Sequence, residues 1–460
     1  MITIIFLAYV AIIIAISLVA KVTTIKRFIV GDKILSTKML VVTIVATFYG
    51  ATAIFGGVSL TYLMGLGVIW FMVPFYLGNL ALIAFLFKRI ASSEKYTLPD
   101  FLGGFYDKTL VKASSILLAI QVLTPASIIA GGKLLSIFMP MPLWIAMVIV
   151  AFIMVAPVVI GGIQAVIRTD VVQFALMLFI LAITVPFIFN MPSFNMPSDI
   201  ISGITKEYFN PFSYISFQEI AVWFILLFFL PITSAPLYQR FFASKSKKCS
   251  EKSIIYSVII WMAIDLVIIL AGFTALQLFP NLTDPDMAFI MLGVAIFPNA
   301  LRGIFFIALL AMIMSTMDSF LQSGAASLTH DVYRHFKPKS TEKQLIMASR
   351  MFIIILGLLS LTLALYFQMI VPALVFTLTI WTAAILVPTL VALTGRKIRK
   401  DTALYCLLGG ALSALIWKIT QPFNIDALFI GLGFSISIVI ISEKFLKAGH
   451  VPSPGDSQAE

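Results

Sequence analysis

The sequence predicts an all-α membrane protein, because it is strongly apolar, its apolar residues form long blocks, and its basic residues lie between alternate blocks. Of the 460 residues, 61% are hydrophobic and 11% are charged, whereas about a quarter of the residues in an ordinary soluble domain are charged. No aqueous core could bury that much apolar surface. The blocks are about 18–25 residues long, which is the length that a helix needs to cross ~30 Å of hydrocarbon.

Thirteen such blocks can be counted, and each is predicted to be a helix because a chain in lipid must satisfy its own backbone polar groups. We expect one transmembrane domain over residues 1–445 and a short polar cytoplasmic tail at 446–460. The predicted spans cover about residues 2–20, 37–60, 67–87, 112–136, 142–161, 166–188, 218–239, 254–279, 303–326, 347–367, 370–392, 402–419 and 425–444.

The basic residues orient these spans. A net charge of +11 could suit nucleic acid, but with the N-terminus outside, nearly all of the 31 Lys and Arg residues fall in inner loops or at inner helix ends. The exceptions are Lys206, Arg302, Lys418 and, within the fourth span, Lys133. This positive-inside pattern predicts a multi-pass protein of the plasma or inner membrane with its N-terminus outside and its C-terminus inside. The expected surroundings are the lipid bilayer, with no nucleic acid partner.

Two of the predicted spans are interrupted. The second contains Gly50 and the pair Gly56-Gly57, and the seventh contains Pro231 and Pro236 on either side of two hydroxyl residues. Broken backbone at membrane depth is tolerated where it is buried in protein or lines a cavity. Packing glycines and ordinary proline kinks are the alternative, since both are common in membrane helices.

The two interrupted spans are five helices apart, which is typical of an inverted-repeat transporter whose site lies where the two breaks meet. The sequence therefore predicts an inverted five-helix repeat of the LeuT type in helices 2–11. The core repeats would cover about residues 37–188 and 218–392, with peripheral helices at 2–20, 402–419 and 425–444.

The ninth span carries a polar cluster at mid-membrane. On a helix Met312, Ser315, Thr316 and Ser319 share one face, and Asp318 flanks it. An acid at this depth costs about 2.5–3.5 kcal/mol on insertion scales and is a functional candidate by default. Because hard cations prefer several oxygen ligands, we interpret the cluster as an ion site. The alternative is that the hydroxyls bond back to helix carbonyls and that the acid faces water.

Three other charges within the spans need partners. Asp170 begins the sixth span beside Arg168, where a helix N-terminus alone would favour an acid. Asp265 lies midway along the eighth span with no partner in the sequence around it. Lys133 either extends to the membrane surface or faces the cavity, where it would pair with Asp265 or with an anionic substrate.

The motifs of the common enzymes are missing. There is no phosphate-binding loop and no nucleophile elbow, and the three histidines do not form a metal-binding set. We therefore expect neither an enzyme nor an organic cofactor. Without an ATP site, uphill transport would have to use an ion gradient.

These motifs, in this order, resemble the sodium/solute symporter family, which includes symporters of proline, sialic acid, sugars and pantothenate. The resemblance covers roughly residues 1–445. Its markers are the stretch 46–57 with Gly65, the segments 97–102 and 161–173, the sequence Gln-Arg-Phe-Phe-Ala at 239–243, and Met-Ser-Thr-Met-Asp-Ser at 314–319 followed by Asp331.

The resemblance implies where sodium binds. By motif, the ligands would be the carbonyls of Ala46, Tyr49 and Met312 and the hydroxyls of Ser315 and Thr316. Some members hold a second sodium ion, and the matching residues here are Asp170, Asp318 and Ser319. Many members have serine where this chain has Asp318, so that site could take sodium, a proton or neither.

The resemblance also implies a small-molecule substrate, carboxylate-like or amino-acid-like, held by the broken helices and their neighbours. In some acid-transporting members a basic residue of the fourth span pairs with the substrate, and Lys133 is the matching candidate. A monomer is expected. The alternatives are a membrane sensor built on a transporter bundle, a proton-coupled symporter or a channel. The other candidate substrate residues are Phe48, Thr52, Asn79, Thr233, Ser234, Thr377 and Trp381.

Overall fold

The computed structural model describes residues 2–20, 24–29, 35–87, 90, 95–191, 204–395 and 398–445, so the predicted tail at 446–460 lies outside the described residues. The described part of the chain is helical, and its one β-type contact is a bridge between Leu35 and Ser244. Ten helices of that part are long and apolar enough to cross a membrane. The predicted all-helical membrane class is confirmed.

The described residues up to 191 form nine α-helices. Two single π-helical segments adjoin them, at Ala51–Gly56 and Leu82–Leu86. The helices are α1 Ile2–Val19, α2 Ile25–Ile29, α3 Thr37–Phe48, α4 Gly57–Met64, α5 Ile69–Ala81, α6 Leu98–Gly103, α7 Lys108–Gln121, α8 Pro125–Phe138 and α9 Leu143–Phe189.

The described residues from 204 to 445 form ten more. A π-helical segment at Leu328–Tyr333 extends one of them. The helices are α10 Phe217–Thr233, α11 Ala235–Ala243, α12 Lys247–Leu278, α13 Ala288–Ile296, α14 Asn299–Ser327, α15 Arg334–Phe336, α16 Glu342–Phe367, α17 Ile370–Thr394, α18 Lys400–Thr420 and α19 Ala427–Phe445.

Several helices begin where the sequence provides an N-cap. The Asp107 carboxylate accepts a hydrogen bond from the Leu110 N–H at 3.0 Å and starts α7. Ser216 with Glu219 forms a capping box at the start of α10, and Thr341 does the same for α16. Such side chains satisfy backbone donors that have no partner within the helix.

Helix α9 contains two of the predicted spans. Its 47 residues would be ~70 Å long as a straight helix, far more than a bilayer needs. The chain bends at Gly162, whose φ of 54° is in the left-handed region. A Cβ atom there would lie 2.8 Å from the Phe28 ring, so glycine is required both by the backbone conformation and by the close approach.

The two predicted interruptions are present, and a third accompanies them. Helix α3 ends at Phe48, before the π-helical segment, and α10 gives way to α11 at Ser234. The third separates α7 from α8 within the fourth span, which the sequence analysis treated as continuous. The prediction was wrong here because Pro125, at the first turn of α8, lacks the N–H that would continue α7.

Helix α14 lies at the centre of the bundle and is the most deeply buried of the ten candidate spans. It packs against α9, while α3 and α4 pack against α12, and α10 packs against α5. Helices α17, α18 and α19 pack against one another. The break after α3 therefore faces a central helix that is itself shielded from lipid.

Candidate functional site

The break after α3 is packed closely against α14. A Cβ atom on Gly50 would lie 1.8 Å from Thr316 Oγ1 and 2.8 Å from the Met312 carbonyl oxygen, so only glycine allows this approach. The carbonyls of a helix's last turn have no donor within the helix, which applies to Ala46 in α3. The break therefore brings Gly50 of the second predicted span close to two oxygens of α14.

Thr316 and its neighbour Ser315 have different surroundings. Thr316 Oγ1 is buried and has no hydrogen-bond partner among the residues that the structure describes. Ser315 Oγ donates to Asp170 Oδ1 at 2.6 Å. An unpartnered buried hydroxyl such as that of Thr316 is costly unless something else satisfies it. The Ser315 hydroxyl donates its proton to Asp170 and keeps its lone pairs available to a cation.

Asp170 is fully buried in α9 and is held from three helices. Besides Ser315, it accepts a hydrogen bond from the Thr43 hydroxyl of α3. Its ionic partner is Arg240 of α11, whose Nη2 lies 3.7 Å from Oδ2. Arg168, which the sequence places beside it, is exposed. The charge partner of Asp170 is therefore distant in sequence.

Arg240 connects this acid to the broken helices. Its Nε donates to Thr43 Oγ1 at 3.1 Å, and its Nη2 donates to Thr47 Oγ1 at 2.5 Å and to Ser319 Oγ at 2.6 Å. The guanidinium is 1% exposed. The sequence analysis used Arg240 only as a marker of resemblance; its position just after the proline-containing break was the signal that it would reach the interior.

Asp318 is the exception in this polar region. It is completely buried, and neither carboxylate oxygen accepts a hydrogen bond from any described residue. Asp170 and Ser319, its predicted partners in a second cation site, are both engaged by Arg240 or by hydroxyls. The second cation site stays a prediction, with Asp318 as its one unpartnered ligand.

A cavity lies beside the first break. Its volume is about 90 Å³. Residues of both breaks at α3 and α7, together with α5, α10, α12, α14 and α17, surround it. Of the predicted substrate residues, Phe48, Thr52 and Thr377 line this cavity.

Four other predicted substrate residues lie outside the cavity lining. Asn79 donates to a carbonyl of its own helix at 2.9 Å, and Ser234 is buried at the second break. The Thr233 carbonyl accepts two hydrogen bonds at 3.0 Å, from the Trp381 indole and from the Gln121 amide. Thr233, Ser234 and Trp381 are therefore part of the second break or bonded to it, while Asn79 is bonded within α5.

Lys133 requires a correction. The sequence suggested that it reaches the membrane surface, pairs with Asp265 or binds a substrate carboxylate. Its Nζ instead lies 2.7 Å from Asp284 and 2.8 Å from Asp286, in the segment after α12. Lys133 is 4% exposed and outside the cavity lining. The two acids neutralise a buried ammonium that would otherwise be costly.

Sequence reasoning missed several residues of the cavity. Gln121, Thr124 and Ser127 line it because α7 and α8 are separated there. Asp265, which the sequence analysis considered as an unpaired acid and as a partner of Lys133, lines it together with Tyr49. The Thr-Pro pair at 124–125 was the signal in the sequence for Gln121, Thr124 and Ser127. The direction of Asp265 could not be predicted from the sequence of one apolar span.

A bundle of apolar helices, three of them broken around a buried cavity with unpartnered oxygens, is the arrangement of a membrane transporter. Residues 28–410 match the model of the sodium:solute symporter family. The chain therefore belongs to this family: it is a sodium-coupled symporter of a small organic solute and not an enzyme.

Known sodium-coupled symporters are similar to this chain over most of its length. The chain is 27% identical to the sodium/pantothenate symporter of Haemophilus influenzae over 330 residues, which are 69% of this chain and 68% of that protein. It is 24% identical to the sodium/proline symporter of Staphylococcus aureus over 418 residues, 84% of this chain and 81% of that one. A Na⁺-coupled sialic acid symporter in its substrate-bound outward-open state shares the fold, with a TM-score of 0.81 and 17% identity over 98% of this chain and 99% of that chain.

Proposed function

We propose that one sodium ion binds where the break after α3 meets α14. Its ligands are the carbonyls of Ala46, Tyr49 and Met312 and the hydroxyls of Ser315 and Thr316. The observation that carries this proposal is the buried Thr316 hydroxyl, which lacks a partner in the described part of the chain and lies directly against Gly50. Several convergent oxygens suit a hard cation.

We further propose thirteen spans, with the N-terminus outside and the C-terminus inside, in one domain over residues 1–445. The bend at Gly162 divides α9 into two spans, and α3 with α4 forms one span. The packing supports an inverted five-helix repeat: the second span contacts the eighth through α4 and α12, and the seventh contacts the third through α10 and α5. Exchanging the two repeats converts one contact into the other.

The solute would bind in the cavity beside the sodium site, against Phe48, Thr52 and Thr377. This adjacency couples the two binding events, since a bound cation fixes the broken backbone that also lines the cavity. The relatives' names suggest carboxylates and amino acids as the solute class. A protein of this kind that only senses its ligand would bind it without moving it.

Uptake into proteoliposomes tests this function. The purified full-length protein should accumulate one of a panel of labelled solutes, including L-proline and pantothenate, above the external concentration when sodium is higher outside. Collapsing the sodium gradient with an ionophore should abolish accumulation. Binding without accumulation would favour a sensor, and accumulation driven equally well by a proton gradient without sodium would favour proton coupling.

A further inference from the structure

We infer that the transported solute carries a positively charged nitrogen, and that Asp265 recognises it. This inference rests on the proposed function and adds the class of solute. It starts from the position of Asp265 on α12, where it is 5% exposed and lines the cavity.

One side of the Asp265 carboxylate is fixed and the other is not. Its Oδ2 accepts a hydrogen bond from the Tyr49 hydroxyl at 2.7 Å, and that hydroxyl also lies 3.2 Å from the Tyr76 hydroxyl. Its Oδ1 has no hydrogen-bond partner among the described residues. The tyrosine therefore orients the acid and leaves one oxygen for a ligand.

Among the described residues, Asp265 has no ion pair with a basic side chain. The lining of the cavity contains no Lys, Arg or His within the described chain. Two buried cations of the described chain are engaged elsewhere: Lys133 pairs with Asp284 and Asp286, and Arg240 pairs with Asp170. A buried carboxylate is stable when a cation accompanies it, and a cationic group of the solute can provide that charge.

The walls of the cavity suit such a group. The Phe48 and Phe75 rings, both in the lining, lie 5.4 Å apart between centroids. Aromatic faces attract ammonium groups, most strongly where water is excluded. A quaternary ammonium compound or a zwitterionic amino acid meets both requirements. A plain carboxylate would face a like charge at Asp265 with no basic side chain beside it.

The charge of the cavity can be measured without knowing the solute. In full-length protein with Cys249→Ser and Cys406→Ser, Thr52→Cys places one thiol in the cavity lining. The measured quantity is the rate at which a trimethylammonium methanethiosulfonate modifies this thiol, divided by the rate for a sulfonate analogue. This ratio should be higher in the protein with Asp265 than after the further change Asp265→Asn. The ratio of the two rates should fall about tenfold, as expected when one nearby charge is removed. Asp284→Asn, outside the cavity, is the matched control. An unchanged ratio after Asp265→Asn would overturn the inference.

Pairs of ligands that differ only in charge provide a test that needs no variant. Choline is compared with 3,3-dimethylbutan-1-ol, and L-proline with tetrahydrofuran-2-carboxylate, by thermal stabilisation in sodium and in potassium. The cationic member of at least one pair should bind in a sodium-dependent way, at least about tenfold more tightly than its isostere. Asp265→Glu should keep this discrimination.

Different results would contradict the charged nitrogen of the solute and the coupling to sodium. Sodium-dependent binding of pantothenate or of a neutral isostere, with affinity equal to that of the cationic compounds, would overturn the charged-nitrogen inference and leave sodium coupling intact. Ligand binding that is identical in sodium and potassium would contradict the proposed function itself.

Discussion

At the scale of single residues, the site is defined by which buried groups already have partners. The sequence predicted both Ser315 and Thr316 as ion ligands from one short motif. It could not predict that Ser315 is engaged by Asp170, because that contact joins residues 145 positions apart. The same limit applied to Lys133, whose two acidic partners lie in a segment beyond α12. Motifs indicate which side chains are polar, but the fold decides which of them are free.

Lys133→Gln should destabilise the protein and leave solute affinity unchanged. Asp286 is 5% exposed, so removing the ammonium leaves a buried acid without its charge partner, at a cost of about 3–5 kcal/mol. Unfolding of the detergent-purified protein measures the loss. Lys95→Gln is the control, because the Lys95–Asp100 pair is partly exposed and contributes little. A stable Lys133→Gln protein that no longer binds solute would restore the substrate role suggested by the sequence.

Arg240→Gln should also be destabilising, by about 3–5 kcal/mol, because Asp170 would keep a buried charge with no cation. Adding Asp170→Asn should recover part of the stability, and a double-mutant cycle isolates the pair. The control is Arg399→Gln: its pair with Asp401 is about half exposed, at 46% and 51%, and should contribute less than about 1 kcal/mol. If the Arg240→Gln and Arg399→Gln variants were equally stable, the buried Arg240–Asp170 pair would contribute no more to stability than the exposed pair, which would contradict this prediction.

At the scale of elements, glycine and proline predicted two of the three helix breaks. The third escaped notice because a proline in the first turn of a helix causes no kink within it and looks, in a sequence, like part of one apolar span. The breaks support one another: Gln121, the last residue of α7, donates to the Thr233 carbonyl at 3.0 Å and accepts from the Ala235 N–H at 3.4 Å. A side chain from one break thus satisfies backbone groups of another.

Gln121→Leu should loosen the break between α10 and α11. The Thr233 carbonyl would keep the Trp381 indole as a donor, but the Ala235 N–H would lose its acceptor, which costs about 1–3 kcal/mol for a buried group. Trp381→Phe removes the indole donor to the Thr233 carbonyl and leaves the Ala235 N–H with its acceptor. It therefore tests whether losing a donor to this carbonyl is enough to loosen the break. Amide hydrogen exchange around residues 233–237 should increase more in Gln121→Leu. No change in exchange in either variant would mean that the break is held by packing alone.

At the scale of the whole molecule, composition was sufficient for the membrane class, because lipid requires long apolar helices. The orientation inferred from the basic residues stays a prediction. The polar interior was not predictable to the same degree. Arg240, Gln121 and Asp265 reach the centre from three different helices, and only the packed bundle brings them near α14. The central claim is that sodium binds between the first break and α14.

Equilibrium binding of ²²Na⁺ to the purified full-length protein tests that claim most directly. Wild-type protein should bind sodium saturably, and Thr316→Ala should weaken binding at least about tenfold because a coordinating oxygen is lost. Thr316→Ser should retain most of the affinity. Thr389→Ala is the matched control, since Thr389 also has a buried hydroxyl without a partner among the described residues, on α17 and outside the cavity lining. Sodium binding that is equally strong in Thr316→Ala and in Thr389→Ala would contradict the account.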